Sequence, residues 1–383
     1  MEDPSAILML EKIIKMAMEA GASDIHIEPM EINPEENSFR LRFRREGYLY
    51  TAMNLDFLMG ERIISRLKVL SNLNIAERRL PQDGRFSIQL LGCSSLDIRL
   101  STCPTRLGEK LVLRLQSEQE RNFLLSDLGL DKNNLEQLYL ALSKSQGMII
   151  VTGPTGSGKT LSLYAALQQL NQISKNICTV EDPIEMKLAG ITQVQIQPKI
   201  GLSFAAVFSA FLRQDPDILM LGEIRDFDSA EIAMKAAHTG HLVLTTLHTN
   251  SALETLTRLS GMGILNYSIA TAVSVLIAQR LLRKLCNTCK QIDPLGPEIL
   301  NIPEIKIFKP QGCEKCHEGF LGRMGCFELI PMTEGLRGLI LSGANILEMQ
   351  AYCKDQGYWS LSRAALEKVI QGETSLSEIA SVI

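Results

Sequence analysis

An apolar run, Met148 to Thr152, leads directly into Gly153-Pro154-Thr155-Gly156-Ser157-Gly158-Lys159-Thr160, and a helical pattern follows from Leu161 to Leu170. Nothing else in the chain limits its fold as much. Three glycines and a lysine between an extended run and a helix dictate strand, tight turn and helix. Further apolar runs recur at Ile177 to Val180, Ile218 to Leu221 and Leu242 to Thr246, separated by helical stretches. This alternation predicts an α/β domain: a mainly parallel sheet with helices on both faces.

The eight residues from Gly153 to Thr160 fit GxxxxGK(S/T) without a mismatch. The chemistry of that pattern is specific. Glycines let the backbone bend so that successive N–H groups converge on phosphate oxygens. The helix that follows adds a partial positive charge at its N-terminus. Lys159 is placed to reach β and γ phosphates, and the Thr160 hydroxyl suits Mg²⁺. Gly153, Pro154, Thr155, Gly156, Ser157, Gly158, Lys159 and Thr160 are therefore the candidate ATP-binding loop. The bland alternative is a glycine-rich turn that binds nothing; the full match and its context argue against it.

Three acidic or histidine-bearing segments follow apolar strands, and ligands in open parallel sheets sit at strand C-termini. Asp217 to Glu223 ends in Gly222-Glu223, where a common Walker B strand would end in Asp then Glu. Glu223 is left to support the metal shell or to orient the attacking water. Thr179 to Glu185 carries Glu181, Asp182 and Glu185. Glu181 or Glu185 either positions a nucleophile or, with Asp182 before Pro183, belongs to a turn cap. His241 and His248 bracket a strand, roughly 20 Å apart if it is extended. His248 is at the C-terminal end, the side of the phosphate loop, and is the candidate γ-phosphate sensor; a packed, backbone-bonded histidine is the alternative.

The chain has 383 residues, enough for two or three domains. Upstream, residues 6–19 have helical spacing, 61–75 look helical again, and strand patterns occupy 85–91, 96–102 and 109–116. Phe39, Leu41 and Phe43 alternate with Arg40, Arg42 and Arg44, the pattern of a strand with one solvated face. The expected organisation is a small α+β domain over 1–117, a linker over 118–126, the ATPase core over 127–283, a cysteine-rich insert over 284–326 and a helical region over 327–383. A net charge of -4 gives no electrostatic case for nucleic acid as the main partner. No start resembles a signal peptide. The most apolar window, Tyr267 to Leu282, is too short for a membrane span and contains Arg280. A soluble protein, at most peripheral to a membrane, is expected.

Nine cysteines in a long chain without a secretion signal do not read as a disulfide framework. Cys286/Cys289 and Cys313/Cys316 are two CxxC pairs with 23 residues between them. That spacing points to a closed, structural four-cysteine Zn²⁺ site. Four reduced, unmetallated thiols are the alternative.

Together these motifs resemble the secretion-ATPase superfamily that powers type II secretion and type IV pilus assembly. Thr179 to Glu185 resembles its Asp box, Leu212 to Asp226 its atypical Walker B, and Thr239 to Asn250 its His box. Gly21 to Pro29 and Arg79 to Arg85 continue the likeness upstream, and the four cysteines match the tetracysteine motif of assembly and secretion members. The resemblance implies a PAS-like domain joined to a RecA-like ATPase domain, a ring hexamer, and nucleotide held between the two domains. It implies that Arg85 and Arg99 stabilise phosphate charge. It also implies a homo-oligomer that works on an inner-membrane platform protein from the cytoplasmic side. Ser101 to Lys110 and Ile269 to Thr271 resemble pilus-assembly members more than secretion members. Type II secretion and DNA uptake are the related alternatives; a nucleotide-binding ring component that does not hydrolyse is the alternative of another class. Family members usually carry a further N-terminal domain that docks on membrane components. This chain begins near where that domain would end, as a short homologue or a truncated product.

Overall fold

The computed structural model describes residues 4–33, 36–45, 47–89, 96–117, 123–300 and 305–382. Residues 118–122 of the expected linker, Cys93 and the end of the expected strand at 85–91 lie outside these. The chain divides into two units, Met1–Glu120 and Arg121–Ile383.

The first unit runs α1 (Pro4–Glu19), β1 (Asp24–Asn33), β2 (Glu36–Arg45), β3 (Tyr48–Asp56), α2 (Phe57–Leu70), β4 (Gln82–Ile88), β5 (Leu96–Thr105) and β6 (Gly108–Ser117). The strands form one antiparallel sheet in the order β3-β2-β1-β6-β5-β4. Strand residues alternate between faces, so Ile25 and Ile27 of β1 meet Phe43 and Leu41 of β2 on the inner face. These residues are buried with Ile13 and Ile14 of α1 and Ile63 and Leu67 of α2. At Gly60 the helix α2 presses on the sheet: a Cβ there would stand 2.1 Å from Phe39 Cδ2.

The arginine run of β2 forms the outer face, where it is held by acids of β1. Glu28 accepts from Arg42 Nε at Oε2 and from Arg42 Nη2 at Oε1, each at 2.8 Å, and Lys110 Nζ also lies 2.8 Å from Oε1. Burial pushes the Glu28 carboxyl up, but these cationic hydrogen bonds outweigh it and hold it down at about 2.

The second unit begins with α3 (Lys132–Leu142), β7 (Gly147–Thr152), α4 (Lys159–Leu170), β8 (Ile177–Glu181), β9 (Thr192–Gln195), α5 (Phe204–Phe211), β10 (Ile218–Leu221) and α6 (Phe227–His238). It continues through β11 (Leu242–Leu247), α7 (Glu254–Gly261), α8 (Asn266–Ala272) and β12 (Val273–Leu285). The cysteine-rich insert holds the two-residue strands β13 (Gln291–Ile292) and β14 (Phe308–Lys309) around α9 (Gly296–Ile299). The chain closes with β15 (Phe320–Pro331), α10 (Glu334–Ser342), α11 (Ile346–Asp355), α12 (Leu361–Ile370) and α13 (Leu376–Val382).

The large sheet is ordered β15-β12-β7-β11-β10-β8-β9, parallel throughout except for β15 against β12. The central strands β7, β10 and β11 are buried along their whole length, because helices cover both faces. One face packs against α5, α6, α7 and α8, the other against α3 and α4. The expected fold class is what the chain adopts. The apolar window Tyr267 to Leu282 divides into all of α8 after Asn266 and most of β12. No helix of the described residues is long and apolar enough to cross a membrane.

Candidate functional site

The phosphate loop leaves β7 at Thr152 and enters α4 at Lys159. Gly153, Gly156 and Gly158 have φ of 150°, 81° and 88°, conformations that a side chain strains. Gly158 caps α4 without any side-chain hydrogen bond, so no side chain competes for the first amides of the helix. Ser157 Oγ is buried with no protein partner among the described residues. A buried hydroxyl without a partner inside an amide-lined turn is a group suited to an anion's oxygen. Lys159 is 8% exposed, and its Nζ donates to Gly153 O at 2.8 Å and Pro154 O at 3.1 Å. Burial lowers its pKa; Glu223 opposes that shift and Arg280 adds to it. The ammonium is thus folded back over its own loop, beside the turn where phosphates would lie. The donor set suits a nucleoside triphosphate.

Glu223, two residues past the end of β10, is gripped on both oxygens. Oε1 accepts from Arg225 Nε at 2.7 Å, and Oε2 lies 3.1 Å from His248 Nε2. Arg225 reaches on through Nη2 to Asp182 Oδ2 at 3.2 Å. The sequence expectation put Glu223 and His248 each at the C-terminal end of a strand, and the fold brings them into contact. Arg225 enters the sequence reading only within the stretch Leu212 to Asp226. Its spacing from Glu223 across a turn was the available signal, but its bond to Asp182 spans 43 positions.

Glu181 lies elsewhere in character. It is 2% exposed, and Oε1 accepts from Thr179 Oγ1 at 2.6 Å and Gln193 Nε2 at 3.0 Å. Tyr164 of α4 donates to its Oε2, and Glu185 N donates to the Tyr164 hydroxyl at 3.2 Å. Burial raises the Glu181 carboxyl, partly countered by these bonds. This arrangement ties the turn after β8 to the helix that carries Lys159.

Two residues beside the loop are given no role at the site by the sequence reading: Gln279 and Arg280 of β12. Arg280 Nη2 donates to Asn250 O at 2.9 Å, in the segment just after His248. Arg280 and Pro154 also line a cavity of about 1100 Å³ with Asn250, Glu328, Tyr358 and Trp359. Burial pushes the Glu328 carboxyl up to about 7, with Glu254 adding to the shift; the Ala252 amide and Arg280 oppose it.

In the first unit, Arg85 of β4 stands directly opposite Arg99 of β5, and Arg99 opposite Arg114 of β6. Cross-strand partners share a face, so the three form one row. Arg114 Nε bonds Asp24 Oδ1 at 3.0 Å. Like charges placed opposite one another cost stability unless an anion offsets them.

The four CxxC cysteines converge, and all their sulfurs lie within 4.8 Å of one another. Cys286 and Cys313 are 3.9 Å apart, Cys289 and Cys316 3.6 Å, and Cys313 and Cys316 3.5 Å. Four sulfurs about 2.3 Å from one tetrahedral zinc stand about 3.8 Å apart. The cage therefore fits zinc, and its sulfurs are too far apart for disulfides. Its root is fixed to the chain's end: Arg283 Nε bonds Glu378 Oε2 at 2.8 Å and Leu285 N bonds Glu373 O at 2.8 Å.

Comparison with known proteins gives the family. The family described as "Type II/IV secretion system protein" matches residues 2–381. The chain belongs to that secretion-system family. It is 44% identical over 388 residues to the type IV pilus assembly ATPase PilB of Acinetobacter baylyi, covering 99% of this chain and 66% of that protein. It is 40% identical to the type II secretion system protein E of Aeromonas hydrophila, covering 100% of this chain and 76% of that one. The crystal structure of the pilus retraction motor PilT with bound ADP superposes with a TM-score of 0.64 at 26% identity, covering 97% of this chain and 96% of that one. The chain spans about two thirds of the length of its pilus-assembly relative.

Proposed function

We propose that this chain hydrolyses ATP with Mg²⁺ in a homo-oligomeric ring, a hexamer by resemblance, and so powers type IV pilus assembly. The observation that carries this reading is the phosphate loop: a helix start with no side-chain capping bond, three left-handed glycines and a buried lysine folded over them. The similarity to a pilus-assembly ATPase along almost the whole chain supports the choice of machine.

In this reading the amides from Gly153 to Thr160 and the Lys159 ammonium hold the phosphates, and Thr160 ligates Mg²⁺. Bound magnesium neutralises charge on the transferring phosphoryl group. Glu223 orients the attacking water or the metal's water shell once Arg225 and His248 release it, and His248 answers the γ-phosphate. Glu185 positions the nucleophile, while Glu181, enclosed by its hydrogen bonds, fixes the turn after β8 relative to α4 through Tyr164. Arg85 and Arg99 answer developing phosphate charge, a role supported by their shared row. Cys286, Cys289, Cys313 and Cys316 hold a structural Zn²⁺, which closes the insert. Work passes to a platform protein of the inner membrane, with the motor on the cytoplasmic side.

Phosphate release by the purified, assembled protein tests the reading. Lys159→Ala is expected to lose turnover while keeping its unfolding temperature. Full turnover in that variant would remove the site assignment; no turnover by any assembled form would leave a nucleotide-binding ring component. A second reading, type II secretion, is favoured by the relative of that name. Restoring piliation, rather than secretion, in strains lacking one motor or the other separates the two.

A further inference from the structure

A loop of three left-handed glycines has little shape of its own, since glycine carries the greatest backbone freedom. Something beneath it must fix the amides toward phosphate. β12 passes under the loop, with Ala278 in register with Thr152. The next residue, Gln279, is 2% exposed. Its Oε1 accepts from Ser162 Oγ, in the first turn of α4, at 2.8 Å. Its Nε2 stands 2.9 Å from where a Cβ on Gly158 would lie. Its carbonyl oxygen stands 2.5 Å from the Cβ position of Gly153 and accepts from Arg280 Nη1 at 3.1 Å. One residue therefore touches the first glycine of the loop, the last glycine and the helix that the loop opens.

We propose that Gln279 is a positioning residue for nucleotide binding: it is the floor that moulds the phosphate loop, with Ser162 as its anchor. This rests on the nucleotide-binding reading above. The side chain suits the task for three reasons. An amide is uncharged, so it sets no charge against the phosphates. The Ser162 bond fixes which end of the amide faces Gly158. Both glycines lack the Cβ that would collide with it, so the loop and the floor close to van der Waals contact only as this pair of residue types. Arg280 extends the same support to Asn250, and so to the segment carrying His248.

The test is calorimetric binding of a non-hydrolysable ATP analogue with Mg²⁺, with the unfolding temperature of each ligand-free variant measured beside it. Wild type is expected to bind and Lys159→Ala to lose binding; if wild type does not bind, the nucleotide reading fails and the floor falls with it. Gln279→Met keeps the volume and removes the amide, and is expected to raise Kd about tenfold with the unfolding temperature preserved. Adding Ser162→Ala to Gln279→Met is expected to change Kd little more, because the two act through one bond. Gln279→Glu keeps the shape and the Ser162 bond but puts a carboxylate under the loop. It is expected to weaken binding most at low salt, a signature that loss of packing alone would not give. If Gln279→Met does not fold, Gln279→Glu decides. Wild-type affinity in whichever folded variant is measured, with wild type binding and Lys159→Ala not, overturns the proposal.

Discussion

His248 Nε2 lies 3.1 Å from Glu223 Oε2, although 25 positions of chain separate them. The contact exists because β10 and β11 are adjacent and parallel, with Leu221 in register with Thr245, so both strands deliver their next residues to the same edge. On the other side Arg225 holds the remaining oxygen of Glu223. The carboxylate is therefore poised rather than free. A residue in that position is expected to govern the chemical step more than binding.

Glu223→Gln is the direct check. It keeps size and hydrogen-bonding capacity but removes the charge. Turnover is expected to fall roughly 10²- to 10⁴-fold while nucleotide affinity changes little. An equal loss in both, measured by single-turnover and binding experiments, would place Glu223 in binding instead.

Glu328 gives a stability prediction with a defined sign. Its folded pKa of about 7 is above the ordinary carboxyl value of 4.5. Below 4.5 both states are protonated and there is no penalty. Between 4.5 and about 7 the unfolded chain ionises first, so stability falls as pH rises. Above that, the penalty is complete, at about 3 kcal/mol. Glu328→Gln is therefore expected to gain stability over wild type at pH 8 and little at pH 4. Denaturant unfolding at the two pH values reads the difference, and an equal effect at both would contradict it.

The cysteine cage predicts one zinc per chain by elemental analysis. Chelation or Cys313→Ser is expected to lower the unfolding temperature and to loosen the end of the chain near Glu373 and Glu378, because both bond the residues just before Cys286. Hydrogen exchange of residues 370–380 would register that loosening. Metal-free protein with unchanged protection there would argue that the cage is not structural.

Lys68 and Glu109 form a buried pair at 2.5 Å, with both side chains under 5% exposed. Lys68 Nζ also donates to Glu77 O at 2.8 Å. Lys68→Met leaves Glu109 buried without its partner and is expected to cost about 3–5 kcal/mol. Lys68→Met with Glu109→Leu removes both charges and should cost clearly less. Unfolding of both variants measures the contrast.

Much of this was legible beforehand for a simple reason. The phosphate loop is contiguous, so its glycines, its lysine and the strand and helix around it are read from one stretch of sequence. The CxxC pairs are similar: two short spacings suggest the cage even before the fold brings Cys286 within 3.9 Å of Cys313. The buried strands β7, β10 and β11 announced themselves as apolar runs. Where a run had two possible structures, as at Tyr267 to Leu282, its apolar character alone did not separate helix from strand.

What the sequence by itself determined is local: which residues bend, which extend, and which chemical groups stand beside them. The tertiary structure decided the partners. Gln279 meets Ser162 across 117 positions and Arg225 meets Asp182 across 43, and nothing in either neighbourhood signals the other. It also decided that Glu181 is enclosed by Tyr164, Thr179 and Gln193, while Glu223 stands past the C-terminal end of a central strand, between Arg225 and His248. The physical reason is that strand order and register, set by packing of the whole core, determine which strand ends are neighbours. Local sequence fixes only what each strand end carries.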